Sequence, residues 1–244
     1  MVDINRIYQK VQALANKEQR GYITPQEFNL FADHAQQDIF EQYFYDLEQR
    51  QRGTGNELEH SDIISNIEEK ISLFEQYNEE VISSGTDDTF EISVEVPDIY
   101  RLGSVKPNYG SALNVNIADK MALNEINKYQ NSPLTTAKES NPVYAEFSSS
   151  NGSMVVTVLP NPVTSIFIDY VRKPSTPNWT YIISSTGNAL YNQTTDTQHF
   201  ELHSSEESNL VIKILQLAGV AIKDFNLAQL AAQEEIKNIQ QEKQ

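Results

Sequence analysis

The spacing with the most chemical content lies in NKEQRGYITPQEF, where Gly21, Ile23 and Glu27 match positions six, eight and twelve of a calcium-binding EF-hand loop. Segments of helical periodicity stand on both sides of it. Calcium needs oxygen ligands, and the ligand positions supply an incomplete set: Asn16 replaces the usual Asp, Glu18 and Thr24 are serviceable, and Arg20 puts a fixed cation where an oxygen should coordinate. The plainer reading is a tight glycine turn feeding a capped helix, with Glu27 as the capping carboxylate. A second set of donors is HFELH, where His199, Glu201 and His203 would share one face of a strand. Two imidazoles and a carboxylate suit zinc or iron, although the same alternation is ordinary at an exposed strand edge. His34 and His60 stand apart and read as surface residues.

Nucleophilic and phosphate-binding motifs are missing. The chain has no Gly-x-Ser-x-Gly elbow, no P-loop, no paired-glycine dinucleotide turn and no His-Glu-x-x-His helix. The carboxylate pairs Glu68 and Glu69, Glu79 and Glu80, and Asp87 and Asp88 are sequence neighbours. On a helix such neighbours point about 100° apart, which fits a solvated face better than a poised acid and base. A protein that is not an enzyme, with no cofactor, is therefore expected. The aromatic run after Ile39 is more suggestive: Phe40, Tyr43, Phe44 and Tyr45 spread rings over more than one helix face. One face can fill a core, and the rest either packs on the remainder of the chain or meets a partner.

The elements that carry these residues change type along the chain. Ile4, Ile7, Val11 and Leu14 recur at helical spacing. Thr24, Pro25 and Glu27 then give an N-cap, a first-turn proline and a capping-box carboxylate, followed by the apolar track Phe28, Phe31, Ala35, Ile39, Tyr43 and Leu47, ending near Arg50. Ser61 caps a third helix expected over residues 61 to 82, with Ile64, Ile67, Ile71, Phe74 and Val81 on its inner side.

Beyond this the period falls to two. Phe90, Ile92, Val94 and Val96 alternate with polar residues as in a half-buried strand. Residues 101 to 117 have room for two short strands around KPNYGS, and DKMALNEINKYQ reads as a short helix. VYAEFS, SMVVTVLP and TSIFIDYVRKP are strands separated by Asn-Gly and Pro-Asn-Pro turns, with a last strand over residues 197 to 203. Helix returns after Ser204, which has capping-box spacing to Glu207, with Leu210, Ile214, Leu217 and Ala221 inward. The final residues have strong helix formers but a thin apolar stripe, and such a tail often needs a partner to order it. The expected fold class is α+β: a helical bundle from the N- and C-terminal segments with a β-rich insertion. The parts are residues 1–84 (helical), 85–203 (β-rich, with one short helix) and 204–244 (helix and tail completing the bundle).

Composition narrows the functional classes. The 244 residues carry 18 Lys and Arg against 34 Asp and Glu, a formal charge of −16, and no cysteine. Without cysteine there is no disulfide framework and no thiolate chemistry, which fits a reducing compartment or a particle assembled in one. So acidic a chain repels phosphate backbones, which disfavours nonspecific nucleic-acid binding. The acidity is widespread: 16 acidic against 7 basic residues over 1–82, 12 against 7 over 83–203, and 6 against 4 over 204–244. No apolar run reaches the length of a membrane span, and the N-terminus lacks the order of a signal peptide, so no membrane partner is expected.

Four segments in order, GYITPQEFNLFADHAQQDIFEQYFYDLEQ, NPVYAEFS, PNPVTSIFIDYVRKPSTPNW and FELHSSEESNLVIKILQLAGVAIKD, resemble the head-to-tail connector proteins of podoviruses infecting Bacteroidetes, including the crAss-like phages. The resemblance covers most of the chain and lies in segment order and wording, since that family has no catalytic motif. It implies a structural virion protein, assembled in the host cytoplasm. Twelve copies would form a ring around the DNA channel, in contact with the portal protein and with other ring or tail proteins, and close to phage DNA without gripping it. In adaptors of this kind the C-terminal tail reaches toward the portal, a role carried here to the segment from Phe225 to Gln244. Interface candidates are thus Phe40, Tyr43, Phe44 and Tyr45 on the aromatic helix and Phe225, Leu227, Leu230 and Ile236 in the tail. The competing expectation is a calcium-responsive interaction module built on Gly21 to Glu27, and a weaker one is a metal-dependent enzyme using His199, Glu201 and His203.

Overall fold

The computed structural model of the protein describes residues 1–17, 23–51, 58–82, 89–91, 98–110, 116–148, 154–221 and 237. The chain is α+β and divides into two compact units. Unit 1 joins Met1–Leu73 to Pro174–Gln244, and unit 2 is Phe74–Lys173. Helices from both ends of the sequence therefore share one unit and a β-rich insertion forms the other. The insertion is displaced from the expected residues 85–203: it starts earlier, in a strand, and ends earlier, because residues 174–203 fold with the helices.

In unit 1, α1 (Ile4–Lys17) starts where the Asp3 carboxylate accepts the amide proton of Arg6 at 3.0 Å. Its buried stripe is Ile4, Ile7, Tyr8, Val11 and Ala15, whereas Leu14, expected inside, is 46% exposed. Helix α2 (Pro25–Gln51) opens with the expected capping box: Glu27 N donates to Thr24 Oγ1 at 3.3 Å, and Thr24 N and Oγ1 both donate to the Glu27 carboxylate, at 2.9 and 2.7 Å. Helix α3 (Leu58–Ser72) is shorter than expected and ends with Ser72 Oγ donating to the Glu69 carbonyl at 2.7 Å. A further helix in the unit, Glu207–Ala221, packs on α1 and α2 and buries Leu210, Val211, Ile214, Leu215 and Ala218.

Unit 2 begins where that third helix was expected to continue. Residues Glu75–Ile82 form strand β1, antiparallel to a later strand, with Val81 fully buried. Spacing of Phe74 and Val81 by seven suits a helix as well as an irregular strand, and pairing with a neighbour decides in favour of the strand. Three further strands are β2 (Thr89–Glu91), β3 (Ile99–Asn108) and β4 (Asp119–Lys120); helix α4 (Leu123–Asn131) follows. Of the expected alternating strand, Phe90 is buried and residues 92–97 lie outside the described residues. A single long β3 takes the first part of the region expected to hold two short strands, and residues 111–115 lie outside the described residues.

The next three strands are those expected: β5 (Val143–Ser148), β6 (Met154–Leu159) and β7 (Ser165–Arg172). One sheet has the order β1-β7-β3 and the other β2-β6-β5-β4, all antiparallel except β4 with β5. Strand β5 is buried on both faces. Tyr144 joins Val156, Val158, Ile166 and Ile168 in the core shared by the two sheets, while Val143, Ala145 and Leu159 pack with Ile126 of α4. That two-sided burial explains the unbroken apolar start of VYA.

Back in unit 1, β8 (Tyr181–Ile183) and β9 (Ala189–Tyr191) form a hairpin, with Gly187 at φ 83° in its turn. The helix Glu207–Ala221 is α5 in chain order. Residues 197–203 are not a strand. They make isolated bridges instead, Gln198 with Asn178 and Phe200 with Val2, because their neighbours are single extended residues rather than a sheet. No helix among the described residues is long and apolar enough to cross a membrane.

Candidate functional site

Among the described residues, the β8–β9 hairpin of unit 1 groups three exposed large apolar side chains on one short element. Its foundation is Trp179, 2% exposed, whose ring stacks on Tyr8 with centroids 4.0 Å apart and lies 5.7 and 5.9 Å from the Tyr181 and Tyr191 rings. Both polar ends of the residue are met: Nε1 donates to Asn5 Oδ1 at 3.1 Å, and the backbone N donates to Asn29 Oδ1 at 2.9 Å. Asn29 Nδ2 in turn donates to Asn178 Oδ1 at 3.0 Å. Helices α1 and α2 thus hold the root of the hairpin through one aromatic stack and two asparagines.

Pairing register sets what the hairpin shows outward. Tyr181 faces Tyr191 across the ladder, so both rings fall on the Trp179 side, and the next pair, Ile182 with Leu190, falls on the other. Ile182, Ile183 and Leu190 are 52%, 72% and 51% exposed. From Pro174 to Thr195 the sequence has no charged residue, in a chain of net charge −16. An uncharged, apolar hairpin on an acidic protein is the kind of surface that marks protein contact. Sequence reading passed over it, although the signals were present: Trp179 followed by alternating Tyr181 and Ile183, then a Ser-Thr-Gly-Asn turn.

Of the two expected arrangements of the aromatic helix, packing within the chain accounts for three of the four rings. Phe40, Tyr43 and Phe44 are buried in unit 1, at 2%, 5% and 7% exposure, and only Tyr45, at 64%, is available to a partner. Phe40 and Phe44 pack edge to face at 5.1 Å, and the Lys70 ammonium lies 5.5 Å from the Tyr43 ring centroid. The helix has two adjacent buried tracks because α3 and α5 both pack on it. The tail candidates Phe225, Leu227, Leu230 and Ile236 lie outside the described residues.

The possible ligand sets are also resolved where they are described. In the EF-hand-like stretch, Ile23 is a core residue and Glu27 is engaged with Thr24, whose backbone and hydroxyl hydrogen bonds hold its carboxyl below the usual glutamate range. Glu18, Arg20 and Gly21 lie outside the described residues, as does the Asn16 side chain. The three HFELH donors each serve a separate contact. His199 Nδ1 accepts from Ile4 N at 3.3 Å, Glu201 accepts from Ser175 N at 2.9 Å, and His203 Nδ1 accepts from Ser205 N at 3.3 Å as the cap of a short 3-10 turn, Ser204–Glu206. Ser204 is therefore not the cap, and Glu207 pairs with Lys10 at 2.6 Å and Arg6 at 2.9 Å. Among the described residues no three His, Asp or Glu side chains gather as a metal site needs.

In unit 2 a polar side chain with several partners is Asp169, at the centre of β7 and hence of its sheet. It accepts from Asn78 N at 2.9 Å, from Lys106 Nζ at 2.6 Å and from Ser104 Oγ. Burial by itself pushes its carboxyl up, but the bonds from Lys106, Ser104 and Asn78 together outweigh that and hold it below the ordinary aspartate value. These partners tie β1 and β3 to the centre of β7. No family model matches this chain, and no curated protein matches it.

Proposed function

We propose that the protein is a structural subunit of a tailed-phage virion, one of the copies of a ring that joins portal to tail. The observation that carries this reading is the architecture. The four-segment resemblance implies a bundle made by the two ends of the chain with a β-rich insertion, and unit 1 and unit 2 have that composition. The exposed apolar hairpin supports it further, since a closed ring needs a surface on each subunit that a neighbouring copy can cover. Tyr45 is the one exposed aromatic of the four named on α2 and is the second contact residue in this reading. The acidic composition suits a channel subunit that stands beside DNA without holding it.

The expected assembly is a twelve-fold ring in contact with the portal and with other ring or tail proteins. Electron microscopy of the particle, with native mass spectrometry of connector released from it, reads copy number and position directly. A ring of this protein between portal and tail supports the proposal, and absence of the protein from purified virions overturns it. Light scattering on the isolated subunit is not the deciding measurement, because a ring subunit can await its portal before assembling.

A further inference from the structure

Among the described residues the buried polar or charged side chains are Gln36, Ser165, Glu201 and Glu206. Three of these four sit where unit 1 sends the chain out to the insertion and receives it back. The outgoing connection leaves α3 at Ser72 and Leu73, and the incoming one enters at Pro174 and Ser175. Residues flanking such a crossing have left one sheet or helix and must find other partners for their backbone groups.

At the incoming side Ser175 is held at both backbone ends by buried side chains. Its N donates to Glu201 Oε2 at 2.9 Å, its carbonyl accepts from Gln36 Nε2 at 2.8 Å, and Glu201 N donates to Gln36 Oε1 at 3.1 Å, which closes the ring of bonds. Ser175 Oγ adds a bond to Glu201 Oε1 at 3.3 Å. At the outgoing side Lys70, in the last turn of α3, pairs with Glu206 at 2.6 Å, and Asn209 Nδ2 donates to the other oxygen of that carboxylate at 2.9 Å. The Glu206 side chain is only 4% exposed.

The two carboxylates belong to one short piece of chain. Leu202 between them is fully buried, Phe200 just before them is tied to Val2 by two backbone bonds of 3.0 and 3.2 Å, and the turn closes with Glu206 N donating to the His203 carbonyl at 3.1 Å. Burying charges is a poor way to add stability, because desolvation consumes most of the attraction and apolar residues of similar size often do as well. What such groups supply is a fixed geometry, since a displaced partner leaves a buried charge unmet.

We propose that Glu201 to Glu206 is a conformational clamp in unit 1: one rigid segment holds the outgoing linker through Lys70 and the incoming linker through Ser175, so that the two linkers loosen together. The clamp is independent of the virion reading. It is tested by amide hydrogen exchange on the full chain, comparing Glu201→Gln with Lys70→Met. The expected result is that each variant speeds exchange, by about tenfold or more, at both the Ser175 amide and the last turn of α3, while the centres of α1 and α2 keep their protection. Loosening confined to the linker that was mutated overturns the proposal, as does an equal rise throughout unit 1. Should Glu201→Gln fail to fold, Ser175→Ala removes only the hydroxyl bond and is read at the same two places.

Discussion

The Asp169 carboxylate accepts the backbone amide proton of Asn78 at 2.9 Å, and Asn78 has a left-handed backbone with φ 60°. Asp169 lies on the central strand of its sheet, and the pairing slips opposite it on both sides. On β1 the register shifts between Gln76 and Glu79, on β3 between Leu102 and Val105. Ser104 and Lys106 reach the same carboxylate from β3. One acid thereby holds a bulge on each neighbouring strand, and each bulge twists the ladder and interrupts a pairing that resumes beyond it.

Asp169 should make this sheet sensitive to acid. Its carboxyl is held below the ordinary aspartate value, so the stabilisation is complete above about pH 4 and is lost as pH falls through the depressed value. Asp169→Asn is expected to remove that part of the pH dependence and to lower stability at neutral pH by about 1–2 kcal/mol, a charged hydrogen-bond value reduced for partial exposure. Urea unfolding followed by amide exchange in β1 and β3 across pH 2 to 7 checks both. An unchanged acid limb in the variant would place the titration elsewhere.

Two glycines separate close approach from backbone conformation. A Cβ on Gly103 would lie 2.8 Å from the Asp169 carbonyl oxygen, a backbone atom that cannot swing away. Gly103→Ala is expected to cost about 1–3 kcal/mol through overpacking and to loosen the β3 bulge. At Gly187 there is open space, but φ is 83°, and Gly187→Ala is expected to cost about 1 kcal/mol from the left-handed backbone alone. Thermal unfolding of both variants, with exchange to assign the affected unit, distinguishes the two mechanisms.

Local signals carried much of the fold. The Thr24 capping box and the strands β5, β6 and β7 follow from capping chemistry, β-branched runs and turn residues that act over a few positions. Strand β1 was hidden, because Glu75 to Glu80 is polar and mostly exposed and owes its conformation to pairing with β7 and to Asp169. Tyr43 was legible as part of the apolar track of α2, whereas the spacing left open whether Phe40 and Phe44 pack inside, since that depends on α3 and α5 arriving on two sides of α2. The exposed hairpin pair Ile182 and Leu190 was not legible, as it depends on cross-strand register and not on local spacing.

The start of α2 offers a test that also bears on calcium. Thr24→Ala removes the cap and is expected to lower stability by about 1 kcal/mol, equally with and without added calcium. Calorimetric titration with calcium, on the natural chain and on Glu27→Ala, is the control. Submillimolar binding that vanishes with Glu27 would favour a calcium-responsive module over the cap as the role of this stretch.

The hairpin separates folding from assembly. Trp179 is sealed between Tyr8 and the hairpin rings, and Trp179→Ala is expected to cost about 3–5 kcal/mol, since loss of the large buried ring leaves a cavity and an unmet Asn5, while the backbone bonds to Asn29 remain. Ile182→Asp and Leu190→Asp change only exposed side chains on the outward face, so thermal stability should move by no more than about 0.5 kcal/mol. In the ring reading the same two substitutions bury a charge at each subunit contact and should abolish incorporation into particles. Complementation with these variants, scored by the protein's presence in purified virions, gives the answer. Normal incorporation of the Ile182→Asp, Leu190→Asp double variant would remove the hairpin from the contact and leave Tyr45 as the residue to test next.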